Sequence, residues 1–578
     1  MRIFSYLYKR LRSAFFSRSQ RVVNNLDTIF GEDKTPAVDP NQGTSFWTVT
    51  NNSRLKQRII YLTLLAVVIG VIFIVQLWQL QVRQGAALAI ESVQNTLSQT
   101  LLFPERGTIT DRTGTSLAWN TATTSKNFST RSYATSSGFG HLLGYVTYPK
   151  QDDNGNFFQQ RTEGKAGAEY YFQEELSGAV GTKVSESNAL GGVVSESVVD
   201  LPEDGDDIQL SIDAVVQEKL FSLIERTARE RRFAAGASVI MEIDTGKILA
   251  ATDYPEYNPN ALAGGKDGYI QELQADYSEP FLNRVSAGRY TPGSVIKPFM
   301  AVAALAEGVI TPQTTIVSTG ALRVENPYQP GTYSIFPDWK EHGPVTVRDA
   351  LAVSSNEFFY QIGGGHKSQP GLGIDNIAAY SRAFGLGEET GVIGLPEVEG
   401  VIPTPAWKRA NFNDDIWRLG DTYNTAIGQY GYQVTPLSMV RAVAGIASGG
   451  QLPTPTVLAD APAVVEPVAR SIDFDSYQVV REGMRQAVTD GTAGGLKVDY
   501  VSIAAKTGTA ELGGKDSGLN SWVIGFWPYD EPRYAFTVVM ADGPRSNVVG
   551  GVYVMRRLLD WLHRQEPNYL TAQPKSNQ

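Results

Sequence analysis

The sequence predicts an α/β protein with a five-stranded antiparallel sheet flanked by helices, preceded by a transmembrane helix and a small elongated α+β module. Three observations lead to this prediction. An uncharged run of 22 residues lies near the N-terminus, a polar stretch follows it, and from about residue 206 the chain has the apolar spacings of a dense globular domain. At 578 residues the chain is long enough for both a large domain and an accessory module.

The N-terminal part has the charge pattern of a membrane anchor. Residues 1–58 contain ten Lys and Arg against four Asp and Glu, whereas residues 59–80 contain no charge. An apolar run of that length crosses a bilayer, and the positive-inside rule keeps the basic tail in the cytoplasm. We therefore predict a cytoplasmic tail at 1–58, a single-pass anchor in the cytoplasmic membrane at 59–80 and an exported remainder.

Composition excludes several classes of function. The exported part holds 40 of the 50 basic and 56 of the 60 acidic residues, and this acidic balance argues against nucleic-acid partners. The sequence contains no cysteine, which excludes disulfides, thiol nucleophiles and thiolate metal sites. Because the four histidines are scattered, we predict isolated surface or loop histidines and no metal site. These residues are His141, His342, His366 and His563.

Apolar patterning places the elements of the two exported regions. Residues 81–205 are expected to form a non-catalytic pedestal or dimerisation module, with a strand and turn at 106–114 and mostly loops and edge strands at 120–165. The main domain is predicted at 206–565, with helices at 220–234 and 552–564, and residues 566–578 are predicted to form a disordered tail. Its five strands are predicted at 237–243, 247–253, 503–509, 522–527 and 534–541.

The first candidate for chemistry is a serine and a lysine three residues apart, Ser294 and Lys297. If a helix begins near Ser294, this spacing puts a hydroxyl nucleophile and an amine base on one helical face, and the free N–H groups of the helix start face developing negative charge. Pro298 lacks the N–H that would bond the Ser294 carbonyl, so a kinked or 3₁₀-like opening turn is expected. Alone, the pattern is more often an ordinary helix N-terminus.

Two further motifs follow in the chain. Ser354-Ser355-Asn356 comes directly after an apolar-periodic stretch at 345–353, and Lys506-Thr507-Gly508-Thr509 lies inside a predicted strand. A serine beside the Ser/Lys pair can relay a proton, an asparagine can hold a substrate amide, and a Lys-Thr-Gly strand can pair with an extended peptide. Each motif alone is also typical of a helix cap or a strand end. Three in this order, each on the element that its role requires, indicate one acyl-transfer site.

This set of motifs resembles that of the penicillin-binding protein and serine β-lactamase superfamily. Over nearly the whole exported chain, further runs resemble those of monofunctional, class B penicillin-binding proteins. One departure is Gly428-Gln429-Tyr430, where the family usually has Gly-Gln-Gly. The further runs are 106–114 with Leu117-Ala118, 164–169, Asn283-Arg284, Gly428-Gln429, 434–437 and 490–493.

The resemblance implies a peptidoglycan D,D-transpeptidase domain with an all-helical subdomain beside the sheet. Ser294 would attack the carbonyl of the penultimate D-Ala of a stem peptide, release the last D-Ala, and hold an acyl-enzyme until an amine of a neighbouring stem arrives. Penicillins and other β-lactams would acylate the same serine. Lys297 would be the base, its pKa lowered by burial and by the Lys506 cation. No metal or organic cofactor is implied.

The remaining residues acquire their roles from the same resemblance. Ser354 would pass a proton to the leaving amine, and Asn356 would bind the acyl amide. Thr507 and Thr509 would hold the terminal carboxylate, and Gly508 would let the substrate backbone come close. The backbone N–H groups of Ser294 and Thr509 would form the oxyanion hole.

Partners and alternatives complete the expectation. A transpeptidase without its own glycosyltransferase needs a polymerase nearby, and the resemblance points to a SEDS-type glycosyltransferase docked on the anchor and the polar module. Two alternatives share the motifs: a D,D-carboxypeptidase or β-lactamase-type serine hydrolase, and a non-catalytic scaffold of the cell-wall synthesis complex. The membrane anchor, the long spacer and the lack of a Glu-x-x-Leu-Asn run disfavour a lactamase, and the intact Ser294 and Lys297 disfavour a scaffold.

Overall fold

The computed structural model describes residues 53–87, 97–123, 127–187, 193–326, 328–513 and 518–571. It consists of an N-terminal unit that ends at Gln94 and a larger unit that begins at Asn95. In the first unit, helix α1 (Ser53–Trp78) continues into a π-helical turn, Gln79–Arg83. The stretch Gln57–Arg83 is long and apolar enough to cross a membrane and contains the predicted anchor. Residues 1–52 of the predicted tail lie outside the described residues.

Within its described residues, the pedestal module is built from short strands and three short helices. One sheet has the order β1-β9-β10 and another β11-β2-β3-β4, and two strand pairs, β5 with β8 and β6 with β7, complete it. Its strands are β1 (Leu97–Leu102), β2 (Ile109–Thr110), β3 (Ser116–Thr121), β4 (Thr130–Tyr133), β5 (Val146–Thr147), β6 (Lys150–Gln151), β7 (Phe157–Gln159), β8 (Glu163–Gly164), β9 (Gly181–Ser187), β10 (Val193–Asp200) and β11 (Ile208–Gln209). Its helices are α2 (Gly140–Leu143), α3 (Gly167–Tyr171) and α4 (Gln173–Ser177).

A buried carboxylate holds the centre of this module. Glu169 on α3 is fully buried. One of its carboxylate oxygens accepts from Arg106 Nε at 2.6 Å, and the other accepts from Arg131 Nε of β4 at 2.7 Å. Arg106 also donates to the Glu169 carbonyl oxygen. Because an isolated buried charge is costly, the two cations and the one anion stabilise each other only as a set.

The main domain contains the predicted five-stranded sheet. The strands of the whole domain are β12 (Ala235–Glu242), β13 (Ile248–Tyr254), β14 (Ile316–Ser318), β15 (Ala321–Glu325), β16 (Tyr333–Pro337), β17 (Gly343–Val345), β18 (Gln451–Pro453), β19 (Val465–Pro467), β20 (Ala504–Glu511), β21 (Leu519–Trp527) and β22 (Tyr534–Gly543). Its helices are α5 (Ala214–Arg231), α6 (Pro259–Ala263), α7 (Tyr269–Ala275), α8 (Lys297–Ala306), α9 (Val347–Val353), α10 (Asn356–Gly364), α11 (Gly373–Ala383), α12 (Pro405–Asn411), α13 (Leu419–Ala426), α14 (Pro436–Ser448), α15 (Phe474–Asp490) and α16 (Gly551–Gln565).

The sheet has the order β13-β12-β22-β21-β20, and every neighbouring pair is antiparallel, which confirms the prediction. Successive residues of a strand enter opposite cores: Trp522 packs in the core with α8 and α14, and Val523 packs in the core with α5 and α16. Helix α5 begins six residues before the predicted helix because the Asp213 carboxylate caps the N–H groups of Val215 and Val216. The subdomain between β13 and β20 is mostly helical and carries three strand pairs, β14–β17, β15–β16 and β18–β19.

Three expectations are wrong. The subdomain beside the sheet is not all-helical, because β14 to β19 form three antiparallel strand pairs within it. His141 is not an isolated surface histidine: it is buried, with Nδ1 2.8 Å from Asp253 Oδ1 and Nε2 2.9 Å from the Pro280 carbonyl oxygen. Burial lowers its pKa, but the Asp253 carboxylate outweighs burial and the net pKa is raised. The first residues of the predicted disordered tail are also folded. Tyr569 lies in a 3₁₀ turn, its carbonyl accepts from Trp527 Nε1 at 2.9 Å, and Leu570 is buried.

The buried network of the module gives a stability prediction. Replacing Glu169 with alanine leaves Arg106 and Arg131 buried without their carboxylate, so we expect the free energy of unfolding to fall by about 3 to 5 kcal/mol. Glu174→Ala is the matched control because that side chain is 83% exposed and has a partner only at 3.8 Å. We expect the control to change stability by less than about 0.5 kcal/mol. Equal denaturant midpoints for both variants would contradict the role of the buried carboxylate.

Candidate active site

The turn that carries Ser294 is fixed from several sides. Residues Gly293–Ile296 form a 3₁₀ helix, and α8 begins at Lys297, as the position of Pro298 predicted. Gly293 N donates to the Gly428 carbonyl at 2.9 Å. Trp522 Nε1 of β21 donates to the carbonyl of Thr291, also at 2.9 Å. These bonds hold the serine against the edge of the sheet.

Gly508 of β20 allows this close approach. A Cβ built on Gly508 would lie 2.8 Å from Val295 Cγ1 and 2.9 Å from the Pro292 carbonyl oxygen. The space beside the glycine is therefore filled by the turn of Ser294. This glycine thus brings strand and nucleophile together within the protein, a role that the sequence did not predict.

The two predicted lysines converge on the Ser354-Ser355-Asn356 turn. Lys297 Nζ donates to the Ser354 carbonyl oxygen at 2.8 Å, to Asn356 Oδ1 at 2.7 Å and, more weakly, to Ser354 Oγ at 3.4 Å. Lys506 Nζ donates to Ser354 Oγ at 2.8 Å and to the Thr507 carbonyl at 2.8 Å. Within the part of the chain that the structure describes, Ser294 Oγ makes no hydrogen bond, which leaves this hydroxyl free to meet a substrate carbonyl.

Burial sets the protonation of both amines. Lys297 and Lys506 are fully buried. Burial lowers the pKa of Lys297 to about 7, although the negative charge of Asp338 opposes the shift. Burial and the nearby Lys297 amine lower the pKa of Lys506 well below its ordinary value. The lowered Lys297 pKa agrees with the prediction, but its main cause is burial, and the repulsion between the amines acts on Lys506.

The three motifs line one cavity of about 760 Å³. Ser294, Ser354, Asn356 and the strand residues Thr507 to Thr509 all contribute to its wall. Thr507 Oγ1 donates to Thr492 Oγ1 at 2.8 Å, which fixes the orientation of one hydroxyl. The structure thus brings every predicted site residue into one cluster, with Lys297 and Lys506 beneath the wall.

Three residues of the site were missed by sequence reasoning. Asp338 is 9% exposed and accepts hydrogen bonds from Ser355 Oγ and from the Asn356 N–H. Trp339 next to it lines the cavity, and its indole N–H donates to the Val353 carbonyl at 3.1 Å. Thr492 was noted only as part of a family run, 490–493. No motif marks Asp338, and its position just before an exposed tryptophan is the sole local signal.

The departure at Tyr430 has a packing explanation. Tyr430 has a left-handed backbone with φ of 61°, a conformation that glycine adopts freely and that costs other residues about 1 to 2 kcal/mol. Its ring lies 6.2 Å from Trp407, 6.4 Å from Phe412 and 5.6 Å from Trp417 between centroids, and Lys408 Nζ lies 5.6 Å from its centre. These contacts offset the backbone cost and form an aromatic cluster directly after Gln429, which lines the cavity.

Known families match both exported regions of this chain. The penicillin-binding protein transpeptidase domain matches residues 236–553, and the penicillin-binding protein dimerisation domain matches residues 123–210. The peptidoglycan D,D-transpeptidase MrdA of Salmonella typhimurium is 30% identical over 491 residues, which cover 78% of this chain and 75% of the relative.

Two solved structures have the same fold. The penicillin-binding protein PBP2 of Helicobacter pylori, in complex with MreC, has a TM-score of 0.67 and 27% identity, with 81% of this chain and 99% of the other covered. A chain from a peptidoglycan synthase complex that coordinates polymerization and crosslinking has a TM-score of 0.68 and 25% identity, with 90% and 100% covered.

The chain belongs to the penicillin-binding protein transpeptidase family. It is an acyl-transfer enzyme of peptidoglycan synthesis, so the predicted class, fold and reaction type are confirmed. The matched transpeptidase region contains all three motifs, and the matched dimerisation region covers much of the pedestal module.

The Lys297 pKa predicts the pH dependence of acylation. A base must be neutral to accept the Ser294 proton, so the acylation rate with a fluorescent penicillin is expected to rise with pH and to reach half its maximum at about 7. Lys297→Arg is expected to lose acylation because guanidinium stays protonated. The same change at Lys266, an exposed residue, serves as the control. A flat profile, or normal acylation by Lys297→Arg, would mean that another group is the base.

Proposed function

We propose that Ser294 is the nucleophile of a serine-type D,D-transpeptidase that cross-links peptidoglycan stem peptides. The observation that carries the proposal is the single hydrogen-bonded cluster in which Lys297, Ser354, Asn356 and Lys506 meet beside the free Ser294 hydroxyl. Burying two amines lowers the free energy of unfolding, so stability alone does not explain their presence. Perturbed titratable groups of this kind concentrate at catalytic sites.

In the first half-reaction, Ser294 Oγ attacks the carbonyl carbon of the penultimate D-Ala while Lys297 accepts the hydroxyl proton. The backbone N–H groups of Ser294 and Thr509 stabilise the resulting oxyanion, a contribution of about 3 to 4 kcal/mol per donor in other acyl-transfer enzymes. The peptide bond then breaks, Ser354 gives its hydroxyl proton to the leaving D-Ala amine, and Lys297 returns the proton taken from Ser294 to the Ser354 oxygen. The product is an ester between the stem peptide and Ser294.

In the second half-reaction, an amine of a neighbouring stem attacks the ester carbonyl and gives up a proton by the reverse of the same path. A new peptide bond forms, and the Ser294 hydroxyl is restored. Asn356 holds the acyl amide of the donor peptide. Penicillins and other β-lactams enter the first half-reaction only and leave the serine acylated.

Substrate binding changes the protonation of the two amines. The terminal carboxylate of the donor peptide, held by Thr507 and Thr509 on the outer side of β20, brings a negative charge toward Lys506. That charge favours the protonated form of Lys506, and the repulsion between the amines then favours neutral Lys297. The Lys506 cation that the sequence suggested is thus a property of the substrate complex.

Replacing Ser294 tests the nucleophile. We expect Ser294→Ala to abolish covalent penicillin labelling and to leave the circular dichroism spectrum and unfolding temperature near those of the parent, because the serine hydroxyl makes no hydrogen bond in the described structure. Ser137→Ala, an exposed serine outside the cavity, is the control and should label normally. Covalent labelling of Ser294→Ala would refute the assignment.

The lifetime of the penicillin adduct separates the transpeptidase from the serine hydrolase. A transpeptidase excludes water from the ester and keeps the adduct for hours, whereas a β-lactamase clears it within seconds. An adduct that persists for hours in water supports the proposed reaction. Fast hydrolysis without an acceptor would favour the hydrolase.

We place the enzyme in the cytoplasmic membrane, with its basic tail inside and the catalytic domain outside, because the apolar stretch Gln57–Arg83 follows a basic segment. The proposed partner is a SEDS-type glycosyltransferase in the same membrane. Two observations support an assembly of this kind: the H. pylori relative was solved with MreC, and another similar chain comes from a synthase complex. Confinement to one membrane raises the effective concentration of both enzymes.

A chimera tests whether the anchor also binds the partner. Replacing residues 55–80 with an unrelated transmembrane helix is expected to preserve penicillin binding but to impair growth and co-purification of the glycosyltransferase, since Gly70 lets a partner helix approach closely. Gly70→Leu in the native helix should weaken co-purification alone. Full complementation by the chimera, with undiminished co-purification, would reduce the helix to an anchor.

A further inference from the structure

We propose that Asp338 is a positioning residue of the transpeptidation site: its carboxylate holds the Ser354-Ser355-Asn356 turn and, through that turn, keeps the Lys297 amine in its reactive place. The inference rests on the proposed role of Lys297 as the base. Asp338 follows β16 directly and lies outside the three motifs. The backbone N–H of Asp338 donates to the Gly320 carbonyl at 2.9 Å, and this hydrogen bond fixes the backbone that carries the carboxylate.

Five donors converge on this one carboxylate. Oδ1 accepts from Asn356 N at 2.9 Å and from Trp339 N at 2.8 Å. Oδ2 accepts from Ser355 Oγ at 2.7 Å, from Glu357 N at 3.0 Å and from Ser318 Oγ at 3.3 Å. Burial raises the pKa of Asp338, but the hydrogen bonds outweigh burial and lower it, so the group is anionic at neutral pH.

The Ser354-Ser355-Asn356 turn depends on hydrogen bonds of this kind. Ser354 ends α9 in a left-handed conformation with φ of 58°, and α10 begins only two residues later at Asn356. A left-handed backbone at a residue other than glycine persists only when its surroundings fix it. The first N–H groups of α10 have no partners within the helix, and the Asp338 carboxylate accepts two of them at the end of the helix where negative charge is favoured.

The same turn positions the base. The two shortest hydrogen bonds of Lys297 Nζ go to the Ser354 carbonyl and to Asn356 Oδ1. Both acceptors lie on the turn that Asp338 holds. A displaced carboxylate therefore moves the amine away from Ser294, and misplacement of a reacting group by about 1 Å costs about 100-fold in rate.

Asp338 also acts on Lys297 through its charge, which favours the protonated amine and opposes burial. Other charged groups surround this pair. Lys506 of β20 lies on the other side of the Ser354 hydroxyl, and the repulsion between the amines lowers the pKa of Lys506. His342 Nε2 lies 3.9 Å from Asp338 Oδ1, and burial lowers its pKa, so it is neutral at neutral pH. Glu357 points elsewhere, because its carboxylate accepts from Thr319 N at 2.6 Å. Lys340 Nζ lies 4.9 Å from the centre of the Trp339 ring.

The test compares Asp338→Asn with Glu357→Gln in the full-length, detergent-solubilised protein. Both substitutions replace a buried carboxylate with an amide near the start of α10, but Glu357 bonds to Thr319 and not to the turn. The second-order acylation rate with a fluorescent penicillin is measured across the titration of Lys297, with the unfolding temperature in parallel. For Asp338→Asn we expect a plateau rate about 100-fold lower and a midpoint at lower pH, since loss of the negative charge favours neutral Lys297.

Glu357→Gln is expected to keep both plateau and midpoint. A purely structural cap would lower stability and rate without moving the pH midpoint, so an unmoved midpoint in Asp338→Asn would overturn the proposal. Asp338→Glu keeps the negative charge but changes the position of the carboxylate, and it replaces the asparagine variant if that variant does not fold. We expect its pH midpoint to equal that of the parent and its plateau acylation rate to be lower. A parental plateau in Asp338→Glu would also overturn it. If the parent enzyme shows no titration near neutral pH, the role of Lys297 fails first, even where Ser294→Ala confirms the nucleophile.

Discussion

Two lysine amines, Lys297 and Lys506, are buried together, and both donate to the Ser354 hydroxyl. The surrounding structure offsets the free-energy cost of burying these two amines. Each amine needs several oxygen acceptors in place of water, because a buried unpaired charge or donor is expensive. The acceptors come from a tight turn between α9 and α10 and from the backbone of β20. In return, the low dielectric of the interior strengthens every hydrogen bond in the cluster.

The sheet supplies the rigidity that this arrangement requires. Both of its faces are covered by helices, so β20 and β21 cannot shift without disturbing two cores. The turn of Ser294 packs directly on this edge through Gly508 and Trp522. Nucleophile and base thus come from one segment, the 3₁₀ turn that continues into α8, and the proton relay comes from a second, the turn between α9 and α10. Both segments are fixed by contacts that are independent of substrate.

Local motifs predicted much of the site, because Ser294, Lys297 and the Lys506 strand carry their chemistry within a few residues of sequence. The five strands also followed from alternation of apolar residues. Asp338 could not be found this way, since its partners at Ser355 and Asn356 are distant in sequence and no spacing marks it. The hydrogen bond of buried His141 to Asp253 and that of Trp527 to the Tyr569 carbonyl likewise join segments that are remote in sequence.

The order of strands in the sheet has a consequence for how the protein is made. Strand β12 pairs with the central strand β22, and the residues that face each other, such as Val239 and Thr537, are separated by most of the catalytic domain. Pairing so remote cannot form while the ribosome is still adding the intervening segments, and contacts of long sequence separation fold slowly. The five-stranded sheet, and the two cores on its faces, therefore cannot be completed until β22 has been synthesised.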